Sequence, residues 1–119
     1  MRILVTGSRL WRNRVLVANA IKQEWIDAGK PYKVVVVQGG ARGVDYFASS
    51  YAEKLSFDVE THDADWSLGT RAGYLRNKKM VDLGADVCLA FIRNESRGAT
   101  MCAKLAEDAG IPVKYWIEP

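Results

Sequence analysis

The residues best suited to chemistry follow directly on short apolar runs. Val34-Val35-Val36-Val37 gives way to Gln38-Gly39-Gly40-Ala41-Arg42-Gly43-Val44-Asp45, with three glycines in five residues. Apolar residues then recur at helical spacing to Leu55. A strand that breaks into a glycine loop and re-enters a helix presents backbone N–H groups to an anion, most often phosphate. Glycine lets the main chain come close to such a ligand, and the planar guanidinium of Arg42 fits phosphate oxygens. The loop matches neither the Walker A pattern nor G-x-G-x-x-G; the alternative is a tight turn with no ligand.

The arginines reinforce this reading. Arg9, Arg12 and Arg14 follow the first apolar run, Arg42 the second, Arg71 and Arg76 the third, Arg93 and Arg97 the fourth; only Arg2 lies elsewhere. The lysines fall mainly on helix surfaces or strand starts. Eight of nine arginines thus sit after strands, where bidentate contact with phosphate or carboxylate becomes available. Some are expected to pair instead with Asp63, Asp65 or Glu95. Trp11, Trp66 and Tyr74 belong to the same set of loops; a ring there offers a stacking surface worth ~1–3 kcal/mol to a nucleobase, although each taken singly also reads as a plug at the rim of the core.

The elements that must position these residues alternate. Strands are expected at Met1–Thr6, Val34–Val37, Phe57–Thr61, Val87–Ile92 and Pro112–Ile117, the last at a sheet edge because it opens on proline. Helices are expected at Val15–Ala28 (capped by Asn13, stopped by Gly29 and Pro31), from the glycine loop to Leu55, at Gly73–Leu83 and at Ala99–Ala109. His62–Ala72 and Arg93–Gly98 read as loops. Continuous apolar strands alternating with helices make an α/β protein, a single-domain Rossmann-like doubly wound parallel sheet of five strands with helices on both faces. Its ligand crevice lies at the carboxyl ends of the strands.

The chain is 119 residues, 49% apolar and 26% charged, with a net charge of +3, as expected for one globular domain spanning 1–119. No apolar run approaches the ~20 residues that span a bilayer, and the chain opens directly into a strand, so a cytoplasmic location is expected. Cys88 and Cys102 read as buried free thiols. With one histidine, His62, and no Cys/His cluster, neither a metal site nor a cofactor is expected.

Thr6-Gly7-Ser8-Arg9, the loop from Gly39 to Asp45, Asp65-Trp66, Ala72-Gly73 with Arg76-Asn77, and Ser96-Arg97-Gly98 occur in an order and spacing that resemble the YspA/YpsA-related branch of the SLOG superfamily. The resemblance spans nearly the whole chain. It implies a Rossmann-like domain that binds nucleotides or nucleotide-derived ligands such as ADP-ribose derivatives, often as a homodimer or higher homo-oligomer. Relatives in the LOG branch are phosphoribohydrolases that cleave the N-glycosidic bond of nucleoside monophosphates, and Arg76 to Met80 has the spacing of their Arg-Lys-Ala-x-Met segment. Others sense signalling nucleotides, and the DprA branch binds single-stranded DNA. The LOG enzymes carry a glutamate in Pro-Gly-Gly-x-Gly-Thr-x-x-Glu; the counterpart here runs Glu95-Ser96-Arg97-Gly98-Ala99-Thr100-Met101-Cys102-Ala103, with Cys102 or Ala103 where that acid would stand.

Cleavage of an N-glycoside gains from a carboxylate near the developing oxocarbenium ion. Asp45, Asp63, Asp65 and Glu95 are the acids available, and Asp45 is the best placed. An acid in a helix's first turn also caps it or offsets its dipole, and a structural or ribose-binding role is weighted above catalysis. The expected ligand set is Gly39, Gly40, Arg42 and Gly43 with Gly7, Ser8 and Arg9 on phosphate, and Asp45, Trp66, Arg76, Asn77, Ser96, Arg97, Gly98 and Thr100 completing the pocket. If the protein is an enzyme, Asp45 and Arg76 are the catalytic candidates. Three readings follow: a small-ligand sensor or sequestering protein, a hydrolase of such a ligand, and a single-stranded nucleic-acid binder. The last is disfavoured because the arginines gather on one edge without an extended basic run.

Overall fold

The computed structural model describes residues 1–118. Strands β1 (Arg2–Gly7), β2 (Val35–Gln38), β3 (Asp58–Thr61), β4 (Val87–Arg93) and β5 (Val113–Glu118) form one sheet in the order β3-β2-β1-β4-β5. Every pairing is parallel. The chain winds outward from β1 through β2 to β3, then returns across the sheet to β4 on the other side of β1. That reversal makes the gap between β1 and β4 the topological switch point, where doubly wound sheets hold ligands.

The helices are α1 (Arg14–Asp27), α2 (Val44–Lys54), α3 (Ala72–Asp82) and α4 (Arg97–Asp108). Because side chains alternate along a strand, Ile3, Val5, Val36, Leu89 and Phe91 pack on one face against Val17 and Ile21 of α1 and Val44, Ala48 and Ala52 of α2. Leu4, Val37 and Cys88 pack on the other against Met80 and Val81 of α3 and Cys102 and Ala106 of α4. Both cysteines are buried free thiols; burial pushes the Cys102 thiol up to about 11. Asn13 caps α1, its side chain accepting from the Leu16 amide at 3.1 Å.

Two regions differ from the expectation. The segment read as loop up to Ala72 contains a 3₁₀ helix, Trp66–Arg71, kinked at Gly69 and opened by Asp65, which accepts from the Ser67 amide at 3.1 Å. It buries no residue, so no apolar periodicity announces it. And α4 begins at Arg97 rather than Ala99, with Ser96 at the N-cap position, which moves Arg97 and Gly98 from the loop into the first turn. β5 is an edge strand as expected, with Tyr115 and Ile117 exposed and Trp116 stacked on Phe91 at 4.7 Å between centroids.

Candidate functional site

A cleft of about 380 Å³ opens at the switch point. Its walls are the ends of β1 and β4, the glycine loop and α3, with the start of α4 at one side. A second lobe of about 300 Å³ is bounded by Gly40, Asp63, Ala64 and Trp66 and shares Arg9, Gly39, Ala41 and Arg76 with the first. Gly7, Ser8, Arg9, Gly39, Asp45, Arg76, Asn77, Ser96 and Gly98 line the main cleft, while Gly40 and Trp66 line the lobe.

Four expected residues border neither: Arg42, Gly43, Arg97 and Thr100. Arg42, Arg97 and Thr100 are exposed, because the chain around them follows its buried neighbours Val44 and Ala99 into the core. The eight arginines do not converge either. Only Arg9, Arg76 and Arg93 reach the main cleft, and Arg93 is tied to the Leu10 carbonyl at 2.9 Å. Trp11 is a core plug, 3% exposed and packed edge-to-face on Phe91. Trp66, by contrast, is 60% exposed.

The loops around the cleft are held together by the side chains that motif reading assigned to a ligand. The Ser8 hydroxyl donates to the Arg93 carbonyl at 3.0 Å and accepts from the Arg93 amide at 2.7 Å, joining the loops after β1 and β4. A Cβ on Gly7 would overlap the Val44 side chain, so glycine there lets the start of α2 settle against β1. Asn77 donates to the Gly98 carbonyl at 3.3 Å and accepts from Arg76 Nε at 2.8 Å. Arg76 also donates to the carbonyls of Gly39, at 2.5 Å, and His62, at 3.5 Å.

The glycine loop is closed from within. Asp45 Oδ2 accepts from the amides of both Gly39 and Ala41 at 3.2 Å, and the Gly40 amide donates to Gln38 Oε1. The amides of Gly39, Gly40 and Ala41 are therefore engaged inside the protein. At α4 the reverse holds. Ser96 makes no side-chain cap, and the amides of Gly98 and Ala99 find no acceptor among the described residues. Both residues line the cleft. Free N–H groups and the positive end of the helix dipole make this the better anion seat.

Asp45 is 6% exposed. Burial pushes its carboxyl up to about 6, against the opposing pull of the Ala41 amide, Arg76, the Gly39 amide and Arg9. Its Oδ1 takes no hydrogen bond among the described residues and is not sealed from solvent. The arrangement offers an anion seat at one side, a buried carboxyl oxygen open to a hydroxyl donor on the floor, and an indole ring in the adjoining lobe.

Composition and spacing did not single out Leu10, Ala41, Ala64, Met80, Asn94 or Ala99 as lining residues. Asn94 and Glu95 have φ of 54° and 51° at the turn from β4 to α4, a left-handed conformation that asparagine tolerates and glutamate resists. Glu95→Gly is expected to stabilise the protein by about 0.5–1 kcal/mol, a rise of a few degrees in melting temperature on a thermal scan.

Comparison with known proteins matches the chain to a family. The Gene 61 protein of Mycobacterium phage D29 is 47% identical over 118 residues, covering 94% of this chain and 93% of that protein. No solved structure matches the chain. Residues 1–69, which carry β1, the glycine loop, Asp45 and the Asp63–Trp66 segment, match the family described as YspA, cpYpsA-related SLOG. The chain belongs to the YspA, cpYpsA-related SLOG family.

Proposed function

We propose that the cleft binds a nucleotide or nucleotide-derived small molecule and that the protein acts as a sensor or sequestering protein for it. The observation that carries this reading is the convergence of the free α4 amides with the guanidinium groups of Arg9 and Arg76 on one cleft that leads to Trp66. Phosphate oxygens take the α4 amides, a ribose hydroxyl donates to Asp45 Oδ1, and the base lies on the Trp66 ring. Pockets of this size with few convergent polar groups are the usual form of small-ligand sites. The nucleotide ligands implied by the SLOG resemblance point the same way.

Thermal stabilisation against AMP, GMP, ADP, ADP-ribose, NAD and short oligonucleotides tests it, with each mixture then separated by chromatography. A ligand at 100 times its Kd adds ~2.7 kcal/mol. Arg76→Ala is expected to weaken binding by about a hundredfold, since charge-assisted bonds are worth roughly twice neutral ones. Arg42→Ala, lying off the cleft, leaves affinity unchanged. Stabilisation by oligonucleotides alone would overturn the small-ligand reading in favour of nucleic-acid binding.

A second reading, hydrolysis of an N-glycosidic bond in the ligand, is favoured by the Asp45 carboxyl titrating near 6. A group so tuned can pass a proton at neutral pH. Water would add its hydroxyl to the anomeric carbon and its proton to the departing base. Recovery of free base and sugar phosphate, abolished in Asp45→Asn even at saturating ligand, supports it; recovery of intact ligand supports the sensor.

A further inference from the structure

The lobe beyond the glycine loop contains one feature that general nucleotide binding does not require. Asp63 is exposed and stands in that lobe beside Trp66, yet its carboxylate takes no hydrogen bond or ion pair among the described residues. Its neighbour Asp65 is differently employed: it accepts from the Ser67 amide at 3.1 Å and the Ser67 hydroxyl at 2.5 Å. Two guanidinium groups line the same lobe. Arg76 commits Nε to Asn77 and Nη1 to the Gly39 and His62 carbonyls, none of them to Asp63, and Arg9 forms no ion pair among the described residues. The Asp63 carboxylate lies directly over Gly40, where a Cβ would overlap Oδ1. Glycine at position 40 thus admits the acid to the lobe.

We propose that Asp63 selects the base: the lobe takes a guanine-type purine, with its face on the Trp66 ring and its N1–H and exocyclic N2–H on the two oxygens of the Asp63 carboxylate. The inference rests on the nucleotide reading of the cleft. An ionised carboxylate only accepts hydrogen bonds. Of the common bases, guanine alone presents two adjacent N–H donors on its Watson–Crick edge. Adenine and cytosine each offer one amino donor beside a ring nitrogen lone pair that the carboxylate repels. Uracil presents a single ring N–H between two carbonyls. Hypoxanthine keeps N1–H and lacks the N2 amino group, so it tests the second contact alone.

Titration calorimetry of the protein with GMP, IMP, AMP and ribose 5-phosphate reads the proposal directly. GMP is expected to bind at least tenfold tighter than AMP, with IMP between them, as fits a bidentate pair worth ~1–3 kcal/mol of discrimination. In Asp63→Asn the GMP-to-AMP ratio should fall below threefold while ribose 5-phosphate binds as before; the side chain is exposed, and an unchanged melting temperature confirms the fold. Equal affinity for GMP and AMP in the wild type, with ribose 5-phosphate bound, overturns the base selection and leaves the cleft reading standing. A GMP preference that survives Asp63→Asn overturns the role of Asp63. Failure of all four ligands to bind overturns both readings together.

Discussion

Asp45→Asn is expected to melt well above the wild type at pH 8 and at nearly the same temperature at pH 3. In the folded protein burial holds the Asp45 carboxyl near 6, against 3.8 for the free group. Between those values the native state keeps a proton that the unfolded chain has lost, so stability falls as pH rises through this window and stays lowered above it. Once both states are ionised the cost is about 2–3 kcal/mol. The asparagine oxygen still accepts from the Gly39 and Ala41 amides, and no charge is buried. At pH 8 the gain corresponds to roughly 10 °C in a chain of this length. At pH 3, below both values, the carboxyl is neutral in the folded and the unfolded chain alike and the gain disappears. Melting curves at the two pH values decide it: a variant that melts lower at pH 8 would show that Arg9 and Arg76 more than offset the desolvation of this carboxylate. Such a buried, costly acid at a cleft is the usual form of the trade between stability and function.

Gly43→Ala is expected to cost about 3–4 kcal/mol and to abolish ligand binding with it. Gly43 has φ 74° and ψ −126°, a region open to glycine and strained by roughly 1–3 kcal/mol for any other residue. A Cβ there would also stand 2.6 Å from the carbonyl oxygens of both Ser8 and Arg9, and backbone cannot move aside as a side chain can. Gly110→Ala separates the two contributions. It has φ 82° with nothing within 4 Å of the added carbon, so only the strain remains, about 1–2 kcal/mol. Denaturant unfolding of both variants gives the comparison, and equal losses would show that the crossing of the loops after β1 and β2 tolerates a methyl group. Glycine at position 43 lets those two loops touch.

How far the sequence alone reaches is visible residue by residue. The four-valine run, the apolar run from Val87 to Ile92 and the proline before β5 determined the strands and their parallel, twice-covered arrangement, because burial on both faces leaves no polar alternation and only a helical crossover returns the chain. The glycine loop, Arg9, Asp45, Arg76 and Asn77 were legible as the cleft neighbourhood, since every loop after a strand opens on one edge of such a sheet. What those side chains touch was decided only in three dimensions. Asp45 takes the Gly39 and Ala41 amides, Ser8 is spent on Arg93, and the Gly98 and Ala99 amides of α4 stay open at the cleft. A hydrogen-bond donor takes the nearest acceptor in space, and the distance between Ser8 and Arg93 along the chain carries no trace of that meeting. The exposed Trp66–Arg71 turn escaped reading for the complementary reason: it buries nothing, and only buried faces write a period into the sequence.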